Sequence, residues 1–143
     1  MCLLAGQCSL VLNQTGQFSE SGVQPLPHLG ASLVLASAFA DLDGDGTLEI
    51  FLGKYSSSMA GHNLEIARNA LLRRIGEEWR LTMLPALPGE TMTSYLSDAH
   101  ADGAMDLLIG NDYQGSSAYH FGDELGGFEE VGRSNKRFPY YVS

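Results

Sequence analysis

Residues 41–49 of the chain read DLDGDGTLE, with acidic side chains at positions 1, 3, 5 and 9 of the stretch. Between the acids, Gly44 and Gly46 can take the positive φ angles that a tight loop requires. The alternate spacing lets the first three carboxylates converge on one point, and a calcium ion binds six to eight oxygens at about 2.3–2.6 Å. Without a cation, carboxylates held this close would repel each other. The pattern therefore predicts a calcium-binding loop and disfavours a simple acidic surface turn.

The residues around this loop indicate strands on both sides. Residues 36–40 form a short apolar run before the loop, and apolar side chains alternate through residues 48–53 after it. An EF-hand loop opens in the same way, but it requires a bidentate Glu at position 12 and a following helix. Position 12 here is Leu52, and the last acid comes earlier, at Glu49. The predicted unit is therefore strand, calcium loop, strand.

A second copy of the loop begins at residue 98, an offset of 98 − 41 = 57 residues. Residues 98–106 read DAHADGAMD, and the LLIG that follows matches the IFLG of residues 50–53. The copy departs from the first at position 3, where His100 replaces an Asp. Because neutral imidazole is a poor ligand for a hard cation, this loop is expected to bind calcium more weakly or through a water. A transition-metal ligand is the less favoured role for His100.

A hairpin pattern also repeats, with a strand, a glycine turn and a second strand that carries an aromatic residue. It occurs at residues 10–18, 71–79 and 119–128. Residues 63–79 fit a helical period too, but the repeat places Gly76 in a turn and so favours strands. We therefore predict one repeat region over residues 1–143, divided into repeats at residues 8–60, 61–115 and 116–143.

Composition limits the classes of protein that the chain can belong to. Its 143 residues are 44% apolar, which is typical of one globular domain, and 17 glycines favour many tight turns between short strands. A net charge of −9 argues against nucleic acid and against anionic membrane surfaces, which both attract clustered basic residues. No apolar run approaches the roughly 20 residues of a membrane-spanning helix. We expect no nucleic-acid partner and no membrane insertion.

Three minor features carry weaker expectations. Cys2 and Cys8 are predicted to be free or buried thiols, because a disulfide across so short a gap would constrain little. Residues 1–6 have no positively charged start, so they are predicted to lie in a strand rather than in a signal peptide. The basic pairs at residues 73–74 and 136–137 are interpreted as solvated turn residues rather than as a binding patch.

The two loops and their apolar strands, at residues 39–53 and 98–110, resemble the FG-GAP or VCBS repeat family. This family is known from integrin α-chain propellers and from many secreted bacterial proteins. Residues 111–113, 127–131 and 139–143 are similar to the branch that includes cartilage acidic protein and the bacterial UnbV-type proteins. The resemblance covers most of residues 8–143. It implies an all-β fold of β-propeller-type blades, about two and a half repeats of four short strands each.

Such a propeller would be incomplete, because a closed ring needs roughly four to eight blades. The chain is therefore expected to be a fragment of a longer protein, or to self-associate through its open blade edges. The resemblance also implies calcium as the cofactor. In the second repeat the position of His100 departs from the family pattern. The implied ligands, with carbonyl oxygens at Thr47 and Ala104, are Asp41, Asp43, Asp45, Thr47, Glu49, Asp98, His100, Asp102, Ala104 and Asp106.

The resulting functional hypothesis is a non-catalytic, calcium-binding β-propeller repeat module of a secreted or cell-surface protein. Its role would be adhesion, ligand binding or structure, with an extracellular protein or carbohydrate as partner. The alternative is the propeller portion of a secreted carbohydrate-active enzyme, although the sequence shows no Ser-His-Asp order, nucleophile elbow or zinc signature. Candidate bases and acids for that alternative are His28, His62, His100, His120, Tyr95, Tyr113 and Tyr119.

Overall fold

The structure is a computed structural model that describes residues 2–3, 7–30, 32–55, 67–88, 90–112 and 117–134. Within these residues the chain forms strands and no helix, so the all-β prediction is confirmed. No helix there has the length and apolar character needed to cross a membrane. The strands are β1 (Cys2–Leu3), β2 (Gln7–Gln14), β3 (Gln17–Pro25), β4 (Leu33–Ala40), β5 (Glu49–Tyr55), β6 (Arg68–Ile75), β7 (Glu78–Pro88), β8 (Thr91–Ser97), β9 (Asp106–Asn111), β10 (Ser117–Gly122) and β11 (Phe128–Ser134).

The strands make three separate antiparallel sheets. Sheet I contains β1–β3, sheet II contains β4–β7 and sheet III contains β8–β11, each strand pairing with its neighbours in sequence. None of the three sheets closes on itself among the described strands. The predicted hairpins are confirmed as the pairs β2–β3, β6–β7 and β10–β11. Strand β6 also confirms the choice of strand over helix, although residues 63–66 lie outside the described residues.

Each four-stranded sheet joins the two strands around a predicted calcium loop to the hairpin that follows. Sheet II accordingly runs over residues 33–88 and sheet III over residues 91–134. The boundary proposed from the sequence at residue 60 thus falls inside sheet II.

The core lies between the sheets and follows from the alternation of apolar side chains along β5. Ile50 and Leu52 point toward sheet I, where they join the buried cluster that contains Cys8 of β2. Phe51 points the other way and packs with Leu107 of sheet III, and both are fully buried. Sheet II is therefore covered on both faces, and burying one such side chain contributes about 1.5–3 kcal/mol.

Close contact between sheets II and III requires a glycine at the end of the IFLG motif. A Cβ on Gly53 would lie 2.6 Å from Cγ2 of Thr91, the first residue of β8. Thr91 is fully buried, and its Oγ1 lies 3.0 Å from Asn69 Oδ1 and 2.9 Å from Asn111 Oδ1. The hydroxyl thus links β6 of sheet II to β9 of sheet III. This contact fixes how the two loop-bearing sheets meet.

The expectation of free thiols is wrong for Cys8, which is buried and disulfide-bonded. In the antiparallel pair of β1 and β2, Cys2 lies directly opposite Cys8. The two cysteines are therefore neighbours across the pair as well as close in sequence. The number of intervening residues did not predict the disulfide, because it does not show that β1 and β2 pair with each other. The strand predicted for residues 1–6 is confirmed at Cys2–Leu3, and residues 4–6 lie outside the described residues.

Candidate metal centres

Loop 1 (residues 41–49) connects β4 to β5, and loop 2 (residues 98–106) connects β8 to β9. The two loops share a frame of hydrogen bonds from backbone N–H groups to acidic side chains. The amide at position 6 donates to the acid at position 1, and the amide at position 7 donates to the acid at position 5. The distances are 2.9 Å for Gly46 to Asp41, 3.0 Å for Gly103 to Asp98, 2.6 Å for Thr47 to Asp45 and 2.9 Å for Ala104 to Asp102.

The acid at position 9 closes the base of each loop. Glu49 Oε2 accepts a hydrogen bond from the Leu42 N–H at 2.7 Å, and Asp106 Oδ2 accepts one from the Ala99 N–H at 2.9 Å. Both acids are buried, at 2% and 0% exposure respectively. The sequence repeat at position 9 therefore corresponds to a shared structural contact as well as to a shared charge.

The backbone at position 4 has a positive φ in both loops. Gly44 has φ 73° and Ala101 has φ 60°. Glycine takes this conformation without cost, whereas a Cβ costs about 1–2 kcal/mol there. Loop 2 therefore carries a backbone strain that loop 1 avoids.

In loop 1 the first three acids converge as predicted. Asp41, Asp43 and Asp45 each offer one carboxylate oxygen, and these oxygens lie within 4.8 Å of one another. Any two oxygens bound to one calcium ion are at most about 5 Å apart, so the spacing fits this ion. Asp41 Oδ1 is buried and accepts no hydrogen bond. A buried carboxylate oxygen without a partner is costly, and a cation would satisfy it.

Glu49 does not belong to that group of three, since its Oε2 is turned toward the Leu42 amide. Burial raises the pKa of Glu49 above its usual value, and the charges of Asp43 and Asp45 raise it further. The hydrogen bond from Leu42 and the charge of Arg73 lower this pKa without cancelling the increase. Without an ion, burial and the charges of Asp43 and Asp45 therefore disfavour the charged form of Glu49.

Arg73 was expected to be a solvated turn residue, and this is wrong. Its side chain is half-buried on β6 and donates to the carbonyl oxygens of Leu125, at 3.4 Å, and Gly126. A Cβ on Gly126 would lie 3.0 Å from Leu42 Cβ, so the β10–β11 turn covers loop 1. Arg74 is exposed, as predicted, and residues 136–137 lie outside the described residues.

In loop 2 the side chain at position 3, His100, lies between two acids of the loop. His100 Nδ1 lies 2.8 Å from Asp106 Oδ2, and His100 Nε2 lies 2.9 Å from Asp102 Oδ2. Asp98, His100 and Asp106 each offer a ligand atom within 4.8 Å of the others. The imidazole ring also packs on Phe121 of β10, with ring centroids 4.3 Å apart and planes 30° from parallel.

Asp106 has a fuller set of donors than its neighbours in the loop. Besides Ala99 and His100, the Tyr119 hydroxyl donates to its Oδ2 at 3.1 Å, and the Gly122 N–H donates to its Oδ1 at 3.1 Å. Burial raises the pKa of Asp106, but these hydrogen bonds outweigh burial and lower it to about 2. The hydrogen bond to Asp106 is the main cause that raises the pKa of His100. The pair is therefore an ionised carboxylate and a ring that favours protonation.

The other described candidates from the enzyme hypothesis lie on different elements of the fold. His28 is exposed before β4, and its Nδ1 accepts the Gly30 N–H at 3.0 Å. His120 is buried in β10, and Tyr95 is exposed on β8. His62 and Tyr113 lie outside the described residues, as do residues 139–143 of the family-like ending.

Arg73 and Phe121 border the two loops, and the sequence analysis did not assign them this role. Strand register makes them equivalent, because Phe51 pairs with Leu71 in sheet II and Leu108 pairs with Tyr119 in sheet III. Each residue follows that partner by two positions and borders the loop of its own sheet. The hairpin repeat was the sequence signal for these positions, but only the strand register shows which hairpin residue lies beside the loop.

No protein-family model matches the chain, and no curated protein matches it either. A functional assignment therefore depends on the fold and on the chemistry of the two loops. Loop 1 offers converging oxygens, one of them without a hydrogen bond, whereas loop 2 offers a carboxylate–imidazole cluster in which the described donors and acceptors are paired.

Proposed function

We propose that the chain is a non-catalytic, calcium-binding β-propeller-type repeat module of a secreted or cell-surface protein. The observation that carries the proposal is Asp41 Oδ1, a buried oxygen with no hydrogen bond beside the carboxylates of Asp43 and Asp45. The donor set is made of oxygens alone, which favours a hard cation over metals that prefer nitrogen or sulfur. Asp41, Asp43 and Asp45 would hold the ion, with Glu49 and the Thr47 carbonyl beside them.

The expected affinity supports an extracellular location. Calcium loops of extracellular modules bind with dissociation constants of about 10⁻⁴–10⁻³ M, so they fill at extracellular concentrations of the ion. The disulfide at Cys8 agrees with this location, because disulfides persist in oxidising compartments. Bound calcium would act as a structural link between β4 and β5.

The propeller part of the proposal is supported by the way sheet III repeats sheet II. Offset by 57 residues, Ala38 and Phe51 correspond to Tyr95 and Leu108. In sheet II these positions pack against sheet III, whereas Tyr95 is 64% exposed and Leu108 is 41% exposed. An exposed apolar surface of this kind is typical of an interface. A further sheet, from a longer chain, a second copy or an extracellular partner, would cover it.

Self-association can be tested by sedimentation velocity over a range of protein concentrations. We expect association that Leu108→Lys abolishes, because a lysine cannot be buried without a partner. Leu125→Lys is the matched control, since Leu125 is 79% exposed in the β10–β11 turn and should tolerate the charge. Association unchanged in Leu108→Lys would show that this face is not the interface.

The calcium site can be tested by thermal unfolding of the full chain in EDTA and in 5 mM calcium. A dissociation constant near 0.1 mM predicts a calcium-induced gain of about 2.3 kcal/mol, from RT ln(1 + [Ca]/Kd). Asp45→Ala should abolish this gain even if it also lowers stability in EDTA. Glu77→Ala, which removes an exposed acid from the β6–β7 turn, should keep the gain. A wild-type transition that calcium does not move would refute the calcium site.

A further inference from the structure

The side chain of His100 occupies the interior of loop 2. It lies between Asp102 at position 5 and Asp106 at position 9, within 2.9 Å of an oxygen of each. Both acids belong to the set that the sequence pattern assigns to calcium. In loop 1 position 3 is Asp43, whose Oδ1 instead accepts the Asp45 N–H at 3.3 Å.

The carboxylate oxygens of loop 2 already have donors. Asp98 Oδ1 accepts the Asp102 N–H at 3.1 Å, and Asp98 Oδ2 accepts the Gly103 N–H at 3.0 Å. Both oxygens of Asp106 are likewise bonded. The equivalent of Asp98 Oδ1 in loop 1 is Asp41 Oδ1, which has no partner. The residues of loop 2 therefore do not fit a calcium ion as those of loop 1 do.

Phe121 holds the imidazole in this position. Its ring packs on His100 from β10 and is itself contacted edge-on by Tyr119, with centroids 5.1 Å apart. Stacked and edge-on contacts between aromatic rings are favourable, so this packing restricts the orientation of the imidazole. The equivalent position in sheet II is Arg73, so loop 1 has no aromatic support of this kind. Loop 2 thus has both a replacement for the ion and a support for that replacement.

We propose that His100 closes loop 2 in place of a calcium ion, so that of the two described loops only loop 1 binds calcium. The residue at position 3 decides whether an ion or a side chain joins the acids. The ring lies within 2.9 Å of an oxygen of Asp102 and of Asp106, so it takes the place between these acids that a bound ion would need. The inference rests on the proposed function, because it presupposes that loop 1 binds calcium.

The test is the number of calcium ions bound by the full chain, measured by equilibrium dialysis after chelator treatment at pH 7. We expect one ion for the wild type, two for His100→Asp and none for Asp43→His. His28→Asp makes the same chemical change at an exposed site before β4 and should still bind one. His100→Asn supplies an oxygen without added charge, and it too should bind two if His100→Asp does not fold.

The outcomes separate this inference from the proposed function. Two ions bound by the wild type would overturn the inference and leave the calcium module standing, whereas none would overturn both. A folded His100→Asp or His100→Asn that still binds one ion would overturn the role of position 3. NMR provides a second readout, since calcium should leave the ring signals of His100 unmoved. A shift of those signals with calcium would show that the ion displaces the ring.

Discussion

Loops 1 and 2 have the same backbone hydrogen bonds and the same acids at positions 1, 5 and 9, yet they satisfy those acids differently. Loop 1 leaves Asp41 Oδ1 buried without a donor, whereas loop 2 places His100 between Asp102 and Asp106. Under the proposed function, calcium would close loop 1 and the side chain of His100 would close loop 2. The same loop frame would then be closed in two chemically distinct ways, and the residue at position 3 would select between them.

The cations around the loops also come from different elements. Near loop 1 the positive charge is Arg73 of β6, which lowers the pKa of Glu49 but donates its hydrogen bonds to the β10–β11 turn. At loop 2 the equivalent β10 position is Phe121, and the basic side chain is His100 within the loop, whose pKa is raised mainly by its hydrogen bond to Asp106. The basic side chain near loop 1 therefore comes from a neighbouring strand, whereas His100 belongs to loop 2 itself.

The largest expected contrast between the two units concerns Phe51 and Leu108, which occupy equivalent positions on β5 and β9. Phe51 is fully buried and Leu108 is 41% exposed. Phe51→Ala should lower the free energy of unfolding by about 3–5 kcal/mol, because it leaves a cavity between sheets II and III. Leu108→Ala should cost less than about 1 kcal/mol. Urea unfolding of both variants in one calcium buffer measures the contrast.

The calcium concentration in that comparison must be held constant, because ion binding adds to the stability of the native state. Equal losses in the two variants would mean that Leu108 is also buried in solution. Such a result would indicate that sheet III is covered in the same way as sheet II.

Amide hydrogen exchange should distinguish the two loops directly. If calcium binds only the closed form of loop 1, 5 mM calcium and a dissociation constant near 0.1 mM slow exchange there about 50-fold, or about 2.3 kcal/mol. The amides of Leu42 and Gly46 donate to loop 1 acids and report this effect. The matched amides of Ala99 and Gly103 in loop 2 should not respond. An equal response in both loops would contradict a difference in occupancy.

Sequence alone was sufficient for the strands and for the acid frame. The alternation of apolar residues predicts β5, and the 57-residue repeat predicts β9. The repeat also favours a strand over a helix at Arg68–Ile75. These features are local or periodic, so a pattern of residues contains them. The convergence of Asp41, Asp43 and Asp45 was predicted for the same reason.

Contacts between elements were not predictable in this way. The disulfide at Cys8 depends on the register of β1 with β2, and the position of Arg73 depends on a turn more than 50 residues away. The sequence predicted a weaker site at His100 because it treated the ring as a poor ligand. It could not show that the ring reaches two carboxylates, since that depends on the fold of the loop and on Phe121.

A smaller effect is expected from the backbone at position 4. Ala101→Gly should stabilise the chain by about 0.5–1 kcal/mol, because φ 60° strains an alanine and the gain is reduced by the entropy of glycine. Gly44→Ala should destabilise it by about 1 kcal/mol through the backbone alone, since a Cβ there would contact nothing within 4 Å. Thermal unfolding in EDTA compares the two. Changes of the same sign would mean that the loops do not share this conformation.

The smallest expected effect is the pH dependence that His100 gives to loop 2. The pKa of His100 is raised in the folded chain, first by the hydrogen bond to Asp106 and also by the charge of Asp102, while burial opposes these. A raised folded-state pKa contributes stability that is fully present below the unfolded value of about 6.5 and is lost as pH rises through the folded value. In EDTA, the wild type should therefore lose stability relative to His100→Asn as pH rises above about 6.5.

His100→Asn keeps the other three histidines, so their titration cancels in the difference. The side chain is 32% exposed, and solvent screening keeps the effect small. Parallel pH profiles for the two proteins would show that the ring does not serve loop 2 as its cation.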